Sequence, residues 1–156
     1  MGKKLHKGSF ERGIVRTTDN QVKKHATQMS RKEIKWLKAT CMELEVADME
    51  ISEHVQDKID SGEITFDMKE IERVLQHVED YNIIEYNYNM VNHSKRILLR
   101  DKKEIMVNIE GEPTKSNLCF VVDITRNILV TVYYCSSKDN HSTMNWSRYC
   151  SWLKII

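Results

Sequence analysis

Two arginines, Arg96 and Arg100 in the run RILLR, are the first side chains whose type and spacing could do chemistry. Side chains alternate along a β-strand, so Arg96, Leu98 and Arg100 share one face while Ile97 and Leu99 share the other. Two guanidinium groups projecting together suit phosphate, because each donates two parallel hydrogen bonds. The same pair also fits a solvated strand face with cross-strand partners such as Glu85. Further on, NILVTVYYC sets Val130, Val132 and Tyr134 against Thr131, Tyr133 and Cys135. If the first set faces helices and Ile97 and Leu99 are buried, Thr131 and Tyr133 join the arginines on one open face. Such a face can hold an anionic backbone and stack a base, although Thr and Tyr are common in strands for packing reasons alone.

Two of the six histidines, His54 and His141, sit where proton transfer is conceivable. His54 lies on a predicted helix beside an apolar stripe, which also describes an exposed or packed bystander. His141 falls in the polar loop SSKDNHS after the last predicted strand, where a segment could carry an imidazole over the sheet as general acid or base. Ser147 and Arg148 follow it closely. The cysteines Cys41, Cys119, Cys135 and Cys150 have no CxxC spacing and no nearby CxxH partner, so no zinc site is expected and the thiols are read as reduced and mostly packed. With five glycines and no GxGxxG, GxxxxGK or HExxH pattern, neither a nucleotide-phosphate loop nor a metallohydrolase is indicated, and no cofactor is expected.

The elements that must position these residues come from a chain of 156 residues, enough for one domain with a real core. Hydrophobic residues make up 40% and charged residues 30%, which suits a folded protein rather than a disordered one. No apolar stretch approaches the roughly 18 residues that span a bilayer, and the opening MGKKLHKGSFERG has no apolar signal region. A cytoplasmic protein without membrane attachment is therefore expected. The net charge of +1 conceals an uneven distribution. Met1 to Lys38 carries eleven Lys or Arg against three acids, whereas Glu43 to Glu85 is markedly acidic. Residues 1–29 lack sustained periodicity and read as a basic flexible arm, available to an anionic partner or simply solvated.

Residues 30–156 read as a single domain with an aromatic C-terminal tail. In SRKE, Ser30 and Glu33 form a capping box, and Ile34, Leu37, Cys41 and Leu44 give the following helix its apolar stripe to about Ala47. Ser52 caps a second helix that Gly62 stops, and the DMKE run at Asp67 offers a third capping box ahead of a stripe of Met68, Ile71, Val74, Leu75 and Val78. From Asn82 the period drops to two. Strands are predicted at Ile83–Tyr88, Arg96–Arg100, Glu104–Ile109, Leu118–Ile124 and Ile128–Cys135, with hairpins at Asp101–Lys103 and Thr125–Asn127 and a polar loop GEPTKSN containing Pro113. Helices followed by such strands indicate an α+β fold, with N-terminal helices packed on a largely antiparallel meander sheet. The segment WSRYCSWLKII must dock on the domain or expose a sticky patch, and docking is the expectation.

The block EISEHVQDKIDSGEITFDMKEIERVLQHVEDYNIIEYN, with RILLR, NLCFVVDI and NILVTVYY, resembles small RelE-like domains of the barnase, EndoU, colicin and RelE-like superfamily. DNHSTMNWSRY looks like the end of small phage-encoded proteins with this layout. The resemblance covers Ile51 to Tyr149 and implies metal-independent RNA cleavage or RNA binding. Carried over, it matches His54 to the helical His, Arg96 and Arg100 to the basic strand residues and Thr131 to the hydroxyl residue of the final strand. For such chemistry His54 or His141 would be base or acid, Arg96 and Arg100 would hold the phosphorane, and Tyr133 and Arg148 would contact RNA. A different class of function also fits: a non-catalytic phage or mobile-element protein whose basic arm and aromatic end bind a host protein and inhibit or redirect it.

Overall fold

The computed structural model describes residues 21–139 and 149–156. Within them the order is β1 (Gln21–His25), α1 (Arg31–Met42), β2 (Glu50–Ile51), α2 (Glu53–Asp60), α3 (Met68–Gln76), β3 (Ile83–Asn89), β4 (Lys95–Ile109), β5 (Glu112–Asp123) and β6 (Ile128–Ser136). The strands form one sheet in the order β1-β3-β4-β5-β6-β2, antiparallel throughout except for the short parallel pairing of β2 with β6. The fold is α+β, with all three helices ahead of the meander.

Local chemistry sets the helix boundaries. Ser30 Oγ accepts from Glu33 N at 3.1 Å and Glu33 Oε1 accepts from Ser30 N at 2.9 Å, which completes the capping box of α1. Ser52 Oγ accepts from Val55 N and also donates to the Val130 carbonyl, so the start of α2 is tied to β6. At the other end of α2, Glu63 N donates to Lys58 O and Gly62 N to Ile59 O, a Schellman pattern in which Gly62 takes φ +77°. At α3 the Asp67 cap bonds Lys69 N, but Glu70 turns to Arg73 and Lys103 instead of closing a capping box.

The core lies on one face of the sheet. Leu37, Val55, Ile71, Val74 and Leu75 of the helices pack with Ile97, Leu99, Phe120, Val122 and Val132 of the strands. Burying such side chains is worth about 1.5–3 kcal/mol each, which is why a nine-residue helix such as α3 holds its shape here.

Several strand boundaries differ from the sequence-based expectation. Asp101–Lys103 is not a hairpin. It is an irregularity between Arg100 and Glu104 within the single 15-residue strand β4. The chain reverses instead at Glu110–Gly111, where φ values of +53° and +82° match the type I′ turn that fits the twist of a two-residue hairpin. From Glu112 onward GEPTKSN is accordingly strand, not loop. Ile109 opposite Glu112 closes the turn, so at Pro113 the missing NH points away from β4 toward a side where no described strand pairs, β6 joining only from Ser116. The turn after β5 is as expected, its Asp123 carboxylate accepting from Thr125 N, Thr125 Oγ1 and Arg126 N.

The largest change concerns residues 21–29, which composition assigns to the arm. Gln21–His25 is the edge strand β1, paired antiparallel with β3, and Val22, Lys24 and His25 are buried. Lys24 explains the placement. Its Nζ bonds Glu33 Oε1 and Oε2 at 2.9 and 3.0 Å and the Leu153 carbonyl at 2.7 Å, while Glu33 Oε2 also accepts from Ile155 N at 3.1 Å. The C-terminal segment thus docks on β1 and α1, with Cys150 N donating to Lys23 O at 2.7 Å. Cys150, Leu153 and Ile155 enter the core, while Trp152 and Ile156 stay exposed.

Burial by itself would raise the Glu33 carboxyl, but the Lys24 hydrogen bonds, the Ser30 and Ile155 NH groups and the Lys24 charge outweigh it and hold the group below its usual range. Lys24→Met strands that carboxylate in the interior and should cost about 3–5 kcal/mol in urea denaturation, with the double variant Lys24→Met/Glu33→Gln less destabilised than the single one. Because the folded value of Glu33 is depressed, its contribution is present above the unfolded value near ~4.3 and is lost as pH falls through the folded value. The stability difference between wild type and Glu33→Gln should therefore be level at neutral pH and close on acidification, as followed by thermal melts across pH.

Candidate functional site

Opposite the helices, the register gathers a polar face. Arg96 of β4 stands opposite Asp123 of β5, Leu98 opposite Val121, and Arg100 opposite Cys119; on β6, Thr131 faces Val121 and Tyr133 faces Cys119. Arg96, Arg100, Thr131 and Tyr133 consequently share the open face, with Ile97 and Leu99 fully buried on the other. The two arginines are about 13 Å apart along β4 at about 3.3 Å per residue, so they address different ends of the face. His54 is not with them: it is exposed on α2, in the helical layer beside β6. His141, Ser147 and Arg148 lie outside the described residues.

Each arginine is engaged by its own chain. Arg96 Nε lies 4.0 Å from Asp123 Oδ2, the carboxylate that organises the β5–β6 turn. Arg100 acts as a clamp. Its Nε and Nη2 donate to Asn117 Oδ1 at 3.2 and 2.8 Å, Nη2 donates to Ser136 O at 2.9 Å, and Nη1 donates to Asp139 O. Asn117 Nδ2 in turn donates to Lys102 O and Lys103 O, so the same pair spans the β4 irregularity and holds the chain leaving β6.

Beside the clamp lies a groove of about 560 Å³ lined by Tyr81, Ile84, Arg100, Lys102, Glu104 and Asn117. Its geometry follows from the turn before β3. Asn82 Oδ1 accepts from Glu79 N and its Nδ2 donates to Arg100 O, both at 2.8 Å, which leaves neighbouring Tyr81 at the groove with 55% of its surface exposed. Lys102 Nζ sits 4.4 Å from the Tyr81 ring centroid, a cation–π contact. Asp101 is buried and bonded to Arg73, so its charge is answered inside the fold, whereas Glu104 is exposed.

The thiols of Cys119 and Cys135 lie 3.1 Å apart on this face, with Arg100 opposite Cys119 across the β4–β5 pair. The Cys119 hydrogen bond brings the Cys135 thiol below its ordinary value; burial opposes this, and the Arg100 charge assists it. The hydrogen bond to Cys135 and then burial push Cys119 well up. Burial, followed by the neighbouring thiols and Glu85, raises Tyr133, which is therefore a hydrogen-bond donor and not a base at neutral pH.

A second constellation sits at the β1 side. Tyr149 Oη donates to Glu85 Oε1 at 2.6 Å, Lys23 Nζ is 3.1 Å from Glu85 Oε2, and His25 meets the Tyr149 ring edge-on at 5.5 Å. His25 Nδ1 accepts from Thr27 N, which fixes the ring. His25, Glu85 and Tyr149 are buried, so the cluster serves to fasten the C-terminal segment. Sequence reasoning had no access to it, since it joins residues 124 positions apart (149 minus 25). The Tyr81 and Lys102 pair was equally hidden, although an aromatic and a lysine beside turn residues were each visible.

Among the described residues, no group of three or more His, Cys, Asp or Glu side chains is placed to hold a metal ion, and no helix is long and apolar enough to cross a membrane. Comparison with protein-family models, with curated proteins and with solved structures finds no match.

If Arg100 is the clamp described, Arg100→Gln should speed hydrogen exchange at Ser137, whose NH bonds Lys115 O, while leaving α1 protected. A loss of about 2 kcal/mol in global stability is expected from removing charged hydrogen bonds. Arg100→Lys should not restore protection, because one ammonium cannot reproduce the guanidinium fork.

Proposed function

We propose that this protein is a RelE-like RNA-binding domain that receives single-stranded RNA in the groove between the β4 irregularity and the turn before β3. The observation that carries this reading is the exposed Tyr81 ring with Lys102 Nζ 4.4 Å from its centroid, at a groove of about 560 Å³. That volume falls within the range of small-ligand sites and accommodates a nucleotide unit. A base stacked on Tyr81 with its phosphate beside Lys102 uses the standard combination of aromatic platform and cation. The exposed Glu104 carboxylate supplies an acceptor for an exocyclic amine of the base. A cytoplasmic setting accords with this partner and with four free cysteines.

Binding is favoured over cleavage on geometric grounds. Attack by a ribose 2′-hydroxyl needs a base, an acid and stabilisation of the phosphorane. Arg100, the residue suited to that last role, spends its donors on Asn117, Ser136 and Asp139, and no described imidazole lines the groove. Cleavage would fall to His141, with Arg148 as a further phosphate contact; Arg96 and Thr131 on the same face, and His54 on α2, play no part in the groove. The protein-binding alternative has its own observation: the β4–β5 hairpin runs past the ends of β3 and β6 and presents Met106 at 61% exposure.

Fluorescence anisotropy with labelled single-stranded oligoribonucleotides tests the groove. Tyr81→Ala should weaken binding roughly five- to hundredfold, from the loss of one stacked base. Lys102→Glu should lower the slope of log affinity on log salt by about one or more. No binding by wild type at low salt rejects the proposal. Incubation with cellular RNA in EDTA, comparing wild type with Arg100→Ala and His141→Ala, separates cleavage from binding. A stoichiometric protein captured from lysate and lost on replacing Met106 by Glu, with RNA untouched, would favour the alternative.

A further inference from the structure

We propose that Cys135 and Cys119 form a peroxide-reactive thiol pair, with Cys135 as the attacking thiol and Cys119 as the thiol that resolves it to a cross-strand disulfide between β6 and β5. This assignment is independent of RNA binding. The geometry carries it. Cys119 faces Tyr133 and Cys135 faces Asn117, so the two cysteines are diagonal neighbours on adjacent strands, and their side chains converge to an Sγ–Sγ separation of 3.1 Å. That is about 1 Å longer than the ~2.05 Å of a disulfide bond.

Access is divided as the chemistry requires. Cys135 is half-buried and within reach of solvent, while Cys119 is fully buried behind it. The groups facing the pair come from three directions: Arg100 on β4, Tyr133 on β6 itself, and Asp139 on the chain beyond β6. Arg100 and the Cys119 S–H both favour a thiolate at Cys135, and Asp139 opposes it. The remaining two cysteines offer a contrast, since Cys41 and Cys150 are buried in the apolar core and burial pushes the Cys41 thiol up to about 12.

The reaction balances with a hydroperoxide as oxidant. The Cys135 thiolate attacks one peroxide oxygen, the O–O bond breaks, and the electron pair leaves with the second oxygen as hydroxide or alkoxide, giving a sulfenic acid. Cys119 then loses its proton and attacks the Cys135 sulfur. The S–O bond breaks, hydroxide takes up the proton as water, and the S–S bond forms. Both thiols are oxidised by one electron each and the peroxide is reduced by two.

The test uses the full chain, reduced and desalted, exposed to hydrogen peroxide, then alkylated under denaturing conditions and mapped by peptide mass spectrometry. A Cys119–Cys135 linked peptide should appear, with Cys41 and Cys150 alkylated. In Cys119→Ser, Cys135 should accumulate as a sulfenic acid that dimedone traps. With wild type alone, which removes any question of folding, iodoacetamide should modify Cys135 with a pH midpoint below the ~8.5 of an ordinary thiol. The proposal is overturned if Cys135 is oxidised no faster than Cys41 and Cys150, or if Cys135 is oxidised while Cys119 remains a free thiol.

Discussion

The fold turns on one buried ion pair. Lys24 and Glu33 are 6% exposed each and sit where β1, the cap of α1 and the C-terminal segment meet. Taking two charges out of water is costly unless every donor and acceptor is met, and here the carboxylate receives Lys24, Ser30 N and Ile155 N while the ammonium also donates to Leu153 O. The consequence is specificity of assembly. Withdrawing the five-residue edge strand would take Lys24 from the Glu33 carboxylate, and a C-terminal segment without regular structure is held because its Leu153 carbonyl and Ile155 NH complete the hydrogen bonds of that pair.

With its β1 edge closed in this way, the sheet can leave its second face polar. That face is held by clamps of a related kind: Arg100 with Asn117 and the Ser136 and Asp139 carbonyls at one end, Glu85 with Tyr149 and Lys23 at the other. Both described ends of the chain between Asp139 and Tyr149 rest on this face. The residues that a strand pattern marks as reactive are thus largely used to bind the protein to itself, and the groove open to a ligand lies beyond them, where the β4 irregularity and the Asp80–Asn82 turn bring Lys102 and Tyr81 together.

Much was legible locally. The caps at Ser30, Ser52 and Asp67 and the stop at Gly62 depend on contacts within a few residues, so their residue types announce them. The change of period at Asn82 located the meander, and alternation correctly grouped Arg96, Arg100, Thr131 and Tyr133 on a face apart from Ile97 and Leu99. DKK at Asp101–Lys103 reads as an additional reversal because it is a polar, turn-forming run like the EG at Glu110–Gly111. Register decides between them, and register depends on which long-range pairs bury Leu99 against Phe120. The β1 strand is not legible in VKKH because KK reads as solvent-facing unless Glu33 stands over it.

The sequence by itself determined the fold class, the helix starts, the stop at Gly62 and which side chains share a strand face, since caps and alternation act over one to four residues. The first helix stops at Met42, short of the Ala47 that its stripe suggests, and the third at Gln76. Tertiary structure alone decided which charges are spent and which remain available. Arg100 is a clamp, Lys24 a buried partner, Cys135 a thiol beside a cation, and Tyr81 an exposed ring under the Lys102 ammonium, and in every case the deciding neighbour lies outside the residue's own element. Electrostatics and desolvation act through space, so residue types can propose such roles, but only the folded distances assign them.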